Sequence, residues 1–144
     1  MPFEGRQRAA VIDRCWSTYV SLNDAFEAPE NFHLEFPGIV ESALLSGRLR
    51  FTVSAGSGLT LRVAEEYVFD RQRLIISRYS YNLIDASGKN VLRADNLPFH
   101  HVDYRRQPLK HPPHHMHDQK GRIISFNGDL HHFIAQAKVI VVSH

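Results

Sequence analysis

The sequence predicts an α+β domain: a four-stranded antiparallel meander covered by an N-terminal helix, then a histidine-rich loop and a C-terminal helix. Three observations predict it. Apolar residues recur at helical spacing near the start of the chain. Between Arg48 and Asp95 the period drops to two. The period-two runs are joined by short Gly- or Asp-containing turns, so consecutive strands are antiparallel neighbours. The 144 residues suit one domain, divided into a helical N-terminal extension (1–47), the sheet (48–96), a His-rich loop (97–120) and a C-terminal element (121–144).

Arg6 to Glu27 reads as a helix, because Val11, Ile12, Cys15, Trp16, Tyr19, Val20 and Leu22 alternate with polar residues at a period near 3.6. Pro29 ends it. Phe32 to Ser46 is ambiguous: Pro37-Gly38 signals a turn, and Ile39 to Leu45 suits a short helix or a strand. Leu49, Phe51 and Val53 then alternate with Arg48, Arg50 and Thr52, and Ala55 to Gly58 makes a hairpin loop. Leu59, Leu61, Val63, Glu65, Tyr67 and Phe69 form the next run. Leu74 to Ile84 and Val91 to Asp95 are the third and fourth strands, separated by Asp85 to Lys89. Pro98 should stop the pairing nearby. Asp129 is placed to cap a helix over Leu130 to Val141, although Val139 to Val142 suits a strand equally well.

A net charge of +2 and a pI near 8.9 permit a nucleic-acid partner without requiring one. Cys15 is the only cysteine, so an internal disulfide is excluded and a reducing, cytoplasmic setting is expected. The N-terminal residues carry charges and no apolar core, so no signal peptide is expected, and no apolar run is long enough to imply a membrane partner.

Histidine is the one residue out of proportion, with ten copies. His100, His101, His111, His114, His115 and His117 follow the fourth strand closely, and Pro108, Pro112 and Pro113 keep that stretch out of helix. Three readings compete. In the plainest, the loop is a solvated polar segment. In the second, it binds a divalent metal: His115-x-His117 can present two imidazoles on one side of an extended segment, with His100, Asp95 or Glu65 completing the set. No HExxH or CxxC spacing supports that reading. In the third, no cofactor is needed. One imidazole takes the proton of a ribose 2′-OH, another protonates the leaving 5′-oxygen, and Arg or Lys stabilises the charge on phosphorus.

On the third reading His115 and His117 are the acid–base pair, Asp95 orients one imidazole, and Arg93 and Lys120 bind phosphate. Asn96 fixes the backbone turn or contacts substrate. Glu65 shares a face with Leu61, Val63, Tyr67 and Phe69, so it must be paired or border a site. Tyr79 and Tyr81 share a face of the third strand, as sheet packing or as platforms for RNA bases.

Tyr79-Ser80-Tyr81-Asn82-Leu83, Asp85, Gly88, Val91-Leu92-Arg93-Ala94-Asp95-Asn96 and Pro112 to His117 together resemble the TumE-type toxin components of toxin–antitoxin systems. The shared progression is YxYxL, hairpin, RxDN, HHxH, and the resemblance covers about Leu59 to His117. The chain departs from the pattern at Ala94, where an aromatic is common, at Met116, where a basic residue is usual, and at Phe99, which precedes the His100-His101 pair. It also carries a longer N-terminal extension. The resemblance implies a growth-inhibiting toxin acting on RNA or translation, and a co-encoded antitoxin with a helix-turn-helix DNA-binding domain. The rival from another class is a non-catalytic metal-binding or protein-interaction module.

Overall fold

In a computed structural model, which describes residues 2–26, 31–39, 45–71 and 73–143, the chain forms an α+β fold. Among these residues the elements run α1 (Pro2–Ala25), β1 (Asn31–Ile39), β2 (Leu45–Gly56), β3 (Leu59–Asp70), β4 (Arg73–Ile84), β5 (Asn90–Asp95), β6 (His115–His117), β7 (Ile123–Ser125) and α2 (Leu130–Ser143). All strands join one antiparallel sheet in sequence order.

The sheet therefore has seven strands, and the expected four are its centre. Three strands lie in segments whose sequence lacks a sustained period of two. β1 falls inside the supposed helical extension and is bulged between Glu35 and Gly38, where Pro37 removes a ladder donor. The expected end of the first helix at Glu27 and Pro29, and most of the ambiguous stretch after Ile39, lie outside the described residues. β6 falls inside the supposed His-rich loop, where no strand was expected: the chain folds back and pairs His115–His117 with β5. The turn at Asp118–Gly121 returns the chain as β7, with the Asp118 carboxylate accepting from the Lys120 and Arg122 amides.

The hairpin positions match the turn signals. Gly56, Ser57 and Gly58 all take positive φ between β2 and β3. Asp85 accepts from the Ser87 and Lys89 amides between β4 and β5.

The two faces of the sheet differ sharply. Leu49, Phe51, Val53, Leu61, Val63, Tyr67, Tyr81, Leu83, Leu92, Ala94 and Met116 point to one face and are buried there. Both helices cover that face. α2 buries Leu130, Phe133, Ile134, Ala137 and Ile140, and the Asp129 carboxylate caps it through the His131 amide at 3.0 Å. α1 buries Val11, Cys15, Thr18 and Leu22 but leaves Ile12, Trp16 and Val20 exposed, so its apolar surface is wider than the sheet covers. No helix among the described residues is long and apolar enough to cross a membrane.

Candidate functional site

The register carries Asp95 and the histidines to the face without helices. Ser80 pairs with Asp95 and Asp95 with His115; Asn82 pairs with Arg93 and Arg93 with His117. Strand alternation then sets Asp95, Arg93, His115 and His117 side by side, opposite the core residues Ala94 and Met116. His100, from the loop after β5, lies edge-on to His115 with ring centroids 4.4 Å apart, and 6.3 Å from His117. His115 and His117 are 5.2 Å apart.

His115 is the centre of the cluster and has no exposed surface. Its Nε2 lies 2.7 Å from Asp95 Oδ1, and its Nδ1 lies 2.9 Å from the Pro113 carbonyl oxygen. Both ring nitrogens thus face acceptors, an environment suited to the doubly protonated ring. The Nε2 contact is off the ideal hydrogen-bond direction, and neither atom finds another partner among the described residues. Burial opposes charge on His115, but Asp95 and the Pro113 carbonyl outweigh it and raise the pKa. Burial likewise opposes charge on Asp95. His115 and the Arg93 guanidinium, whose Nε donates to Oδ2 at 2.6 Å, more than offset that and hold the carboxyl below its usual range.

His100 and His117 are shifted the other way. Burial lowers both first, and the neighbouring His115 cation lowers them further. Both are partly exposed. His117 also borders an open cavity of about 490 Å³ with Lys89, Arg93 and Lys120 on its walls. The site therefore sets a buried imidazole, biased toward its protonated form, beneath two partly exposed rings biased away from it, with Arg93 and Lys120 alongside. The proton-handling pair expected at His115 and His117 does not fit this burial: His115 is sealed beneath the surface, and His100 takes the accessible place beside His117.

Three other readings were left open between a site role and a structural one, and the geometry favours the structural one in each. Glu65 faces inward as its alternation required, but it lies on the helix-covered face. Arg14 of α1 grips its carboxylate from Nε at 3.0 Å and from the terminal nitrogen at 2.7 Å. The Tyr67 and Tyr81 hydroxyls donate to it at 2.6 and 2.5 Å. Glu65 is thus a buried anchor on the opposite side of the sheet from the histidines. Tyr79 and Tyr81 are buried on that same face, stacked at 4.7 Å, so neither offers an accessible ring to a base. Asn96 accepts from the Tyr79 amide and donates to the Ser77 carbonyl, which extends the β4 pairing past β5 and leaves the turn role rather than substrate contact.

His100, His115 and His117 have ring nitrogens within 4.8 Å of one another, the same three named above as a ligand set. Three imidazoles suit zinc or a similar divalent ion. Gathering them round one ion requires His115 to turn a nitrogen away from Asp95 or Pro113.

The family model described as Toxin TumE matches residues 27–139. It takes in the whole sheet and most of α2 but not α1. No curated protein and no solved structure matches the chain.

Proposed function

The chain belongs to the TumE toxin family, and from that membership we propose that it arrests growth by cleaving RNA without a metal, using His117 and His100 as an acid–base pair. Membership in this family implies a cognate antitoxin. We further propose that this partner carries a helix-turn-helix domain. The observation that carries the catalytic reading is the geometry of the three rings: His115 buried between Asp95 Oδ1 and the Pro113 carbonyl, with two partly exposed imidazoles beside it.

In the proposed step, neutral His117 takes the proton from the ribose 2′-OH as that oxygen attacks phosphorus. The bond from phosphorus to the 5′-oxygen breaks, and His100, carrying a proton, delivers it to that oxygen. Arg93 and Lys120, on the wall of the His117 cavity, stabilise the charge that builds on the phosphoryl oxygens. Asp95 acts through His115: it holds a fixed positive charge under the reacting group and keeps the two outer rings apart in charge from the buried one.

Growth tests this directly. Expression of the chain should stop growth, and His117→Ala or His100→Ala should restore it while the protein still accumulates. Full toxicity from both variants would overturn the histidine mechanism. A second reading is favoured by the convergence of the three ring nitrogens and by the unsatisfied His115 Nε2: the trio binds a divalent ion. Prolonged dialysis against a chelator separates the two. The proposed chemistry survives it, whereas RNA cleavage lost on chelation and regained with one divalent ion selects the metal.

A further inference from the structure

The helix-free face of the sheet is organised well beyond the histidines. Three rows of side chains cross it, each set by strand register. The middle row is Arg50, Ala64, Ser80, Asp95 and His115. One flanking row is Thr52, Arg62, Asn82, Arg93 and His117. The other is Arg48, Glu66 and Arg78.

Ala64 and Ser80 are the small members of the middle row, so the face is lowest along them. A depression of about 260 Å³ lies there, bordered by Arg48, Arg50, Arg78 and Ser80. With strands about 4.8 Å apart, the trough runs about 14 Å from Arg50 to Asp95. With alternate residues about 6.6 Å apart along a strand, its flanking rows stand about 13 Å from each other. It ends at the Asp95–His115 pair and the two accessible rings above.

The charge on this face is mostly positive. Arg50, Arg62 and Arg78 are exposed and have no ion-pair partner among the described residues. Glu66 is engaged by Arg48 at 3.5 Å, and Asp95 by Arg93 and His115. In β1, His33 is in backbone register with Arg50 and Glu35 with Arg48.

We infer that this trough seats the backbone of a single RNA strand, with Arg50, Arg62 and Arg78 holding phosphates on the path to His100 and His117. The inference rests on the RNA-directed reading above and adds where and in what form the RNA is held. A lane of this width, floored by alanine and serine and walled by guanidinium groups, fits one chain of phosphates. Among the described residues its floor and walls hold no exposed Phe, Tyr or Trp, so binding along it should depend on charge and little on sequence. Each arginine that neutralises a phosphate releases a counterion, which makes its contribution salt-dependent.

The test uses the full chain carrying His117→Ala, so that binding is read without cleavage. The probe is a fluorescent single-stranded RNA of mixed sequence, titrated at several salt concentrations. Arg50→Gln, Arg62→Gln and Arg78→Gln should each weaken binding several-fold and lower the slope of log affinity against log salt by about 0.7. Lys138→Gln, on the exposed side of α2, should do neither. An RNA duplex should bind more weakly than the single strand. Thermal midpoints equal to that of the parent separate these effects from misfolding. Unchanged RNA affinity in the three arginine variants overturns the inference, as does equal affinity for the duplex. It is also overturned if a polyglutamate peptide binds as tightly as RNA with the same arginine dependence, because the face then suits an acidic protein segment. The two readings fail separately. Arginine-dependent binding of an RNA that the unsubstituted protein never cuts removes the ribonuclease and leaves the trough. Histidine-dependent cutting with arginine-independent binding does the reverse.

Discussion

His115 is fully buried, yet it bears on the charge of the two rings beside it. The Asp95 carboxylate favours the protonated ring of His115, and a charge there adds to the burial that already lowers the pKa of His100 and His117. Asp95→Asn removes the anion while burial and the Arg93 cation, both unfavourable to charge on His115, remain. The His115 pKa should then fall from above its ordinary 6.5 to below it, as followed by NMR titration of the ring protons. An unchanged value would mean that Asp95 is not what holds the proton. The outer rings predict the sign of the pH–rate profile. One ring must be neutral and the other protonated, and both pKa values are lowered, so the protonated acid becomes scarce as pH rises through its lowered value. The maximum of kcat/KM for RNA should lie below 6.5, the ordinary value for both rings. A maximum above it would contradict the assignment. At this scale the sequence was informative about chemical type and less so about depth. The juxtaposition of Asp95, His115 and His117 follows from residues that suit one another. The burial of His115, and hence the place of His100, depends on a three-residue strand too short to show a period.

Among the elements, β6 and α1 are the two that bear most on the site, and they were legible to different degrees. α1 shows its period plainly, but the sequence does not tell which apolar residues the sheet will cover. Ile12, Trp16 and Val20 share helical spacing with Val11 and Cys15, and only the latter pair is buried. The inward Glu65 was readable from its strand, whereas its partner Arg14 lies 51 residues away on another element. That contact ties α1 to the sheet. Arg14→Ala would leave a buried carboxylate with only the two tyrosine hydroxyls, at a cost of about 3 kcal/mol in denaturant unfolding. RNA cleavage by the protein that remains folded should not change, because Glu65 and the histidines occupy opposite faces. A loss below about 1 kcal/mol would show that the contact contributes no more than an exposed ion pair. β1 and β7 escaped the sequence reading for a shared reason. Each is an outer strand of the sheet, held by pairing with a neighbour, and β1 is also broken by Pro37 and Gly38.

The whole molecule divides its labour between two faces of one sheet. One face builds the core with α1 and α2, anchored at Glu65. The other gathers arginines, Asp95, His115 and His117 by register, since each strand alternates between the two roles, and the loop after β5 adds His100. The alternation was readable in β2 and β3 from sequence, but the alignment of their arginines with Asp95 and His115 required the registers of five strands at once. The central claim is that this second face cuts RNA by activating its own 2′-hydroxyl. The most direct measurement uses chelator-treated protein and a single-stranded RNA whose cut sites have been mapped, alongside copies carrying a single 2′-deoxy substitution just before one cut. The account predicts cleavage that leaves 2′,3′-cyclic phosphate ends, disappears at the substituted position only, and is absent throughout with His117→Ala. Continued cleavage at the deoxy position, or undiminished cleavage by His117→Ala, would contradict it.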